Sequence, residues 1–308
     1  MIAKKRLLTR NDFDGLVCAA LLKELEIIDE IRFVHPKDMQ DGKISISETD
    51  ITANLPYVDG VGLAFDHHIS EVSRVDDQPN YIVYPNAPSA ARVVYEYYGA
   101  EKKFTRLPAS LMEAVDTADS AKYTKEQILE PTGWTLLTFV LDPRTGLGRF
   151  KNFRINNYDL MIKLVDLLRT KTIDEILRDE DVRERVDLYF EHQGKFVEQL
   201  KKCTKIYKTA AHINLRDEET IYAGNRFMVY ALFPEINISV HEIWGKNKRN
   251  VVFAVGKSIF NRTSKMNIGE FLLQYGGGGH ITAGTCQVPV SDADKVREEI
   301  IAAMVQDI

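Results

Sequence analysis

Asp12-Phe13-Asp14-Gly15 and Asp66-His67-His68 place three carboxylates and two imidazoles in the first quarter of a 308-residue chain. Each group follows a short apolar run, Leu7-Leu8 in one case and Gly62-Leu63-Ala64-Phe65 in the other. Both therefore read as lying at the ends of buried strands. Carboxylates are costly to bury, and several together repel one another unless cations neutralise them. The chemistry such a set supports is the binding of divalent metal. Asp12 and Asp14 face the same way if the chain there is extended, and Gly15 lets the backbone turn tightly into a following helix. Taken alone, the tetrapeptide is equally a turn that caps that helix. In Asp66-His67-His68, neighbouring side chains on an extended segment point to opposite sides. One imidazole is then expected to coordinate metal, leaving the other to hydrogen-bond a ligand or an outer partner. A dinuclear site also needs a carboxylate able to bridge two cations. In that company Asp50 and Asp119 become candidates, with Asp116 competing for the later position.

A second chemical feature is Gly276-Gly277-Gly278-Gly279-His280. It ends a helix predicted from Ile268 to Tyr275, with Asn267 and Glu270 as a capping-box variant and Ile268, Phe271, Leu272 and Tyr275 as the apolar face. Gly276 sits where a left-handed C-terminal residue belongs. One glycine would suffice for that cap, so four imply a close approach to the backbone. Exposed N–H groups in such loops cradle phosphate oxygens. Arg262 and Ser264, with Lys265 beside them, would supply the cations and hydroxyl that an anionic ligand needs.

These residues must be positioned by a scaffold. Short apolar segments alternate with helical patterns through the first half: Leu7-Leu8 before Asp12, a helix with Leu16, Val17, Ala20, Leu21 and Leu25 at its spacing, and a strand over Ile31–His35 stopped by Pro36. A strand around Ile44–Ser47 is expected to run into Asp50, and one over Val61–Phe65 into Asp66; a helix opens after Asn86–Ser89. The rhythm predicts an α/β fold with a doubly wound, mainly parallel sheet, in which functional residues gather beyond the carboxyl ends of strands. Residues from about 155 to 205 read as helical with solvated charged faces. From Tyr207 onward, strands at Ile221-Tyr222, Phe227–Leu232, Ile236–Val240 and Val251–Val255 predict a second, smaller α/β domain. Asp142-Pro143-Arg144-Thr145-Gly146 is a conspicuous turn, read as a plain surface loop in preference to part of a lid.

Composition narrows the function classes. A formal net charge of −5 argues against a broad footprint for duplex DNA. The three cysteines, Cys18, Cys203 and Cys286, are far apart without C-x-x-C spacing, which fits a reducing compartment. Lys4, Lys5 and Arg6 are not followed by the apolar stretch of a signal peptide, and no apolar run approaches the ~20 residues of a membrane span. The expected location is cytoplasmic, with no membrane partner.

Together the motifs resemble the DHH phosphoesterase superfamily, specifically the members with a C-terminal DHHA1 domain. That group includes nano-RNases, phosphodiesterases of linear or cyclic dinucleotides and exopolyphosphatase-like proteins. The matching residues run from the D-x-D at Asp12 through Asp50, Asp66-His67-His68 and Asp119 to the GGGGH at 276–280. The resemblance implies a metal-binding domain over 1–190, a helical linker over 191–206 and a substrate-binding domain over 207–308, with the active site in the cleft between the domains. It implies two manganese ions, one held by Asp12 and Asp50 and the other by Asp14, Asp50, His67 and Asp119, with Asp50 bridging. Carboxylate oxygens with one imidazole suit Mn²⁺ or Mg²⁺. His68 would position substrate and Asp66 would orient a histidine. Arg262, Ser264, His280 and the backbone of Gly277, Gly278 and Gly279 would grip a phosphate or terminal base.

One position departs from the pattern. Relatives often carry a metal-binding histidine two residues before the D-x-D, where this chain has Arg10. Arginine stays protonated and is not an ordinary metal ligand. Either Asn11 or water compensates, or Arg10 contributes positive charge of its own; the first metal site is expected to be weak or empty. The implied activity is metal-dependent hydrolysis of phosphodiester bonds in short oligonucleotides or dinucleotides, giving nucleoside monophosphates. A polyphosphate substrate, or a nucleotide-binding regulator impaired through Arg10, are the alternatives, and a homodimer is compatible with either.

Overall fold

A strand covered on both faces reads as consecutive apolar residues, and β1 (Lys5–Arg10) does so: Leu7, Leu8 and Thr9 are wholly buried. The chain is described here by a computed structural model, over residues 5–68, 74–76, 78–150 and 152–307. It divides into two units, Met1–Leu188 and Tyr189–Ile308. In the first unit β1 is joined by β2 (Ile28–Val34), β3 (Asp50–Ala53), β4 (Leu63–Asp66) and β5 (Tyr81–Val83) in the spatial order β2-β1-β3-β4-β5. Every pairing is parallel. The order changes direction between β1 and β3, the place where open α/β sheets gather ligands at their carboxyl edge.

The helix Phe13–Glu24 follows β1 directly. Residues 13 to 22 are all buried, because the sequence is apolar around the helix and not along one stripe. Asp12 is its N-cap, and its Oδ1 accepts from the Gly15 amide at 2.9 Å. Asp14 is therefore already helical, and the two acids converge through a turn, not through the extended run the spacing suggests. Gly15 is required for a different reason from the one its motif implies. Its φ is not positive; a Cβ there would overlap the carbonyl oxygen of Arg10 and crowd Thr9 Oγ1. The glycine lets the helix start pack directly on the end of β1.

The third strand departs from expectation. Ile44–Ser47 form no strand; β3 begins at Asp50 and ends at Ala53. Its β-branched pair Ile51-Thr52 fits a buried strand, and both are covered. This shift moves Asp50 from the end of a strand to its beginning. Helices Ala90–Tyr97, Ala109–Asp119, Asn157–Thr170, Ile173–Arg178 and Glu180–Cys203 follow, in keeping with the helical and charged pattern.

In the second unit β6 (Thr204–Tyr207), β7 (Ala210–Asn214), β8 (Ile238–Trp244), β9 (Asn250–Lys257), β10 (Gly278–His280) and β11 (Ala283–Pro289) form a sheet of order β10-β11-β9-β8-β7-β6. Only β7 and β8 pair in parallel. Val240, Phe253, Leu272, Val288 and Ile300 belong to its core, which helices Ile268–Leu272 and Ala293–Gln306 help to close. Met228–Leu232 is helical where a strand is expected, and 221–222 are in neither form. A short continuous apolar run does not distinguish the two by its pattern. Among the described residues no helix is long and apolar enough to cross a membrane.

Candidate metal centre

Asp14 is 2% exposed, yet both of its oxygens are engaged. Oδ2 accepts from the amide of Ala90 at 2.9 Å and Oδ1 from that of Ala91 at 2.8 Å. These are orphan donors of the first turn of helix Ala90–Tyr97, so the carboxylate also gains from the positive end of the helix dipole. Ser89 caps that helix by accepting from the Arg92 amide and donates to Asp116 Oδ1 at 2.7 Å. Arg92 holds the other oxygen of Asp116. Asp116 is thus committed to fixing the helix that fixes Asp14, and Asp119 is the one that faces the site.

His67 stands between Asp14 and Asp119. Its Nδ1 lies 3.2 Å from the carbonyl oxygen of Ala87, which can only accept, so that nitrogen carries the proton. Nε2, the nitrogen that would offer its lone pair once a cation displaces its proton, is aimed at the acids: 3.1 Å from Asp119 Oδ2 and 4.0 Å from Asp14 Oδ2. Nε2 is buried and makes no hydrogen bond. Its closeness to Asp119 is that of an ion pair without hydrogen-bond alignment. One ligand atom each from Asp14, His67 and Asp119 lies within 4.8 Å of the others.

The electrostatics point the same way. Burial pushes Asp14 above the ordinary carboxylate range, and repulsion from Asp119 and Asp12 adds to it. Burial also pushes up Asp12. Burial would lower His67, but the Asp119 and Asp14 carboxylates outweigh it and hold the imidazole at about 9. Asp119, which keeps part of its surface in solvent, is held low by His67 despite the desolvation around it. A buried imidazole nitrogen without a hydrogen bond and two carboxylates short of positive charge fit a divalent cation.

Asp66, fully buried, is engaged otherwise. Oδ1 accepts from the amides of His67 at 2.8 Å and His68 at 3.3 Å and from His68 Nδ1 at 2.7 Å; Oδ2 accepts from Tyr81 Oη at 3.3 Å. It orients His68 and fixes its tautomer with the proton on Nδ1. Burial lowers His68, but the Asp66 carboxylate more than offsets this and raises it. With three donors on Oδ1 and one on Oδ2, Asp66 is a poorer ligand than Asp14, whose oxygens accept a single amide each and keep a lone pair.

Asp50 is not in the site. It receives Arg6 Nε at 2.9 Å and Nη2 at 2.8 Å, and the Ser47 amide at 2.7 Å. At ~3.3 Å per residue, β3 carries it roughly 10 Å from the carboxyl edge. The expected bridging ligand is corrected by the strand's true start: the residue reaching Asp12 from the end of β3 is Asn54, whose Nδ2 donates to Asp12 Oδ1 at 3.1 Å. Burial raises Asp50, but Arg6 and Ser47 more than reverse this, and its folded pKa is depressed. It therefore contributes stability above the ordinary carboxylate pKa that is lost as pH falls through the depressed value. Asp50→Asn is expected to weaken the pH dependence of melting in acid while leaving metal content and turnover within about twofold of the parent. A loss of bound metal in this variant would return Asp50 to the centre.

Other expected residues are placed as follows. Arg10 Nε pairs with Asp12 Oδ2 at 2.9 Å. In the second unit Ser264 donates to Asp307 and the Lys265 amide donates to the same carboxylate, so that hydroxyl fastens the C-terminal segment. Arg262 Nε donates to the Ile259 carbonyl. Gly276 has φ +68°, as its cap position requires. The other glycines answer to the protein's own chain: Gly278–His280 pair with β11, and Cβ atoms at Gly277 and Gly279 would overlap the carbonyl oxygens of Thr285 and Ala283. His280 lies exposed on the edge strand β10. The loop reading missed Arg144. Its Nε donates to Asp142 Oδ1 at 2.7 Å, and after burial and Asp142 its pKa responds to Asp12 and Asp119. A lone arginine after D-P in a turn carries no sequence signal of that proximity.

No family model matches the chain, nor does any curated protein. Among solved structures, the pGpG-specific phosphodiesterase PggH from Vibrio cholerae is 55% identical, over 99% of this chain and 100% of that one, with a TM-score of 0.87. RecJ from Thermus thermophilus in complex with Mn²⁺ is 13% identical over 98% of this chain and 53% of RecJ, at a TM-score of 0.54. CDC45 from Entamoeba histolytica is 10% identical over 98% and 96%, at 0.55. The last two share the fold alone. The acid and imidazole motifs at the carboxyl edge of a parallel sheet, and a full-length relative at this identity, place the chain in the DHH/DHHA1 phosphoesterase superfamily.

Proposed function

We propose that the protein is a divalent-metal-dependent phosphodiesterase that hydrolyses a short linear dinucleotide of the pGpG type. The observation that carries this reading is the buried His67 Nε2, without a hydrogen bond between Asp14 and Asp119, in a chain 55% identical to a pGpG-specific phosphodiesterase. Oxygen ligands with one imidazole favour Mn²⁺ or Mg²⁺ over a thiolate-loving metal, and Mn²⁺ is the ion proposed. Such a cation lowers the pKa of a water and neutralises charge on the transferring phosphoryl group.

The chain's own residues do the rest. Asp14, immobilised by two helix amides, and His67, fixed by the Ala87 carbonyl, hold their ligand atoms without rearrangement. His68, oriented by Asp66, would donate from Nε2–H to the substrate phosphate as the imidazolium that the Asp66 carboxylate favours. Water forms the new bond to phosphorus, the bond to the 3′ oxygen breaks, and that oxygen takes up a proton. A pGpG substrate then yields two molecules of guanosine monophosphate. Arg262, His280 and the glycine segment are proposed to bind the substrate away from the reacting phosphate; the engagement of Ser264 with Asp307 removes it from that group.

Incubation with pGpG, a longer oligonucleotide, a cyclic dinucleotide and polyphosphate, with Mn²⁺ or with chelator, tests the reading by chromatography. Guanosine monophosphate from pGpG, abolished by chelator, is expected. Retention of nucleotide without product would establish a regulator instead, and orthophosphate released from polyphosphate alone would establish the phosphoanhydride hydrolase.

A further inference from the structure

The corner between β1 and β3 already contains a cation, and it belongs to the chain. Asp12 has both oxygens engaged: Oδ1 by the Gly15 amide and Asn54 Nδ2, Oδ2 by Arg10 Nε. Asn54, where a bridging carboxylate would have to project, brings an amide without negative charge. It is 2% exposed and held at φ 55°, a left-handed conformation that asparagine tolerates better than most residues. Its Oδ1 makes no hydrogen bond. A neutral carbonyl oxygen can face a ligand, but it cannot neutralise two dications. Arg144, fastened by Asp142, adds a second guanidinium close enough to sense Asp12 and Asp119.

These residues do not fit two metal ions. We propose that the protein carries out its reaction with a single divalent cation, at Asp14, His67 and Asp119, and that the Arg10 guanidinium docked on Asp12 takes the place of the second. The proposal rests on the phosphodiesterase reading above. Charge supports it: Arg10 offsets Asp12, and one dication offsets Asp14 and Asp119. A second dication beside Arg10 would meet a guanidinium that already occupies Asp12, and the two like charges would repel each other with no further acid between them. Arginine is also suited to the role. It stays protonated, its Nε lies on Asp12, and a guanidinium carries further N–H donors in a planar fork that matches phosphate oxygens. The sequence alone suggests a weakened first site; the position of Asn54 makes that site a different device.

Equilibrium dialysis of the full chain against Mn²⁺, with elemental analysis and electron paramagnetic resonance, tests this. One Mn²⁺ per chain with the spectrum of an isolated ion is expected. Arg10→Ala should keep that single ion and lose ~100-fold in kcat, with Arg10→Lys recovering part of it. The double variant Arg10→His with Asn54→Asp should take up a second ion and show an exchange-broadened spectrum. Two ions per parent chain would overturn the inference while leaving the phosphodiesterase reading intact. No ion at all would overturn both. Should the double variant fail to fold, the parent stoichiometry and the Arg10→Ala pair decide the matter.

Discussion

His67→Ala is expected to weaken Mn²⁺ binding by more than ~100-fold, since loss of an outer partner of a metal ligand alone costs 10- to 100-fold. Turnover of a linear dinucleotide should fall by about a thousandfold or more, measured under saturating substrate. The size of the effect follows from what His67 contributes. With metal in place of its second proton it would be the one neutral ligand among acids that repel each other, and its Nε2 is aimed by the Ala87 carbonyl. Removing it leaves the buried Asp14 facing the partly exposed Asp119 with no base between them, so Asp14 should bind a proton in place of metal. Calorimetric titration with Mn²⁺ and steady-state kinetics measure the two losses separately. Unchanged circular dichroism would show that the fold survives. A variant that binds Mn²⁺ as tightly as the parent would remove His67 from the centre.

The largest expected effect on stability is that of Gly15→Ala. The added methyl group would overlap the Arg10 carbonyl oxygen, a backbone atom that cannot swing away as a side-chain tip could. Relief requires helix Phe13–Glu24 to move off β1, and its first ten residues are packed in the core. A loss of ~3 kcal/mol is expected, in the range of severe single substitutions. For a unit of this size that corresponds to a fall in Tm of about 6–12 °C. Asp12 and Asp14 sit on the displaced turn, so activity should fall by at least about tenfold at temperatures where the variant is still folded. A melt that matches the parent would mean that the contact is not tight.

The fold class and the nearness of Asp14, His67 and Asp119 were legible because they rest on local patterns. Leu7-Leu8 before Asp12 and the apolar run before Asp66 identify strands whose carboxyl ends carry acids, and the sheet does carry them there. The helix after Ser89 and the cap at Gly276 were likewise written in single residues. What failed was position along a strand. Placing a strand at Ile44–Ser47 instead of Asp50–Ala53 moved a carboxylate from one end of the sheet to the other, and so hid Asn54. The choice between Asp116 and Asp119 depended on contacts far away in sequence, with Ser89, Arg92 and His67. The close neighbours of the glycine run, β11 and helix Ile268–Leu272, are likewise revealed by no local pattern. Arg144 was invisible because charge proximity leaves no periodic trace.

Crystals soaked in Mn²⁺ and measured at the manganese absorption edge provide the most direct examination of the centre. A single anomalous peak is expected within bonding distance of His67 Nε2 and of carboxylate oxygens of Asp14 and Asp119, with none between Asp12 and Asn54. A peak beside Asp50 and Arg6, or His67 Nε2 turned away from the ion, would contradict the assignment of these three residues as the metal ligands.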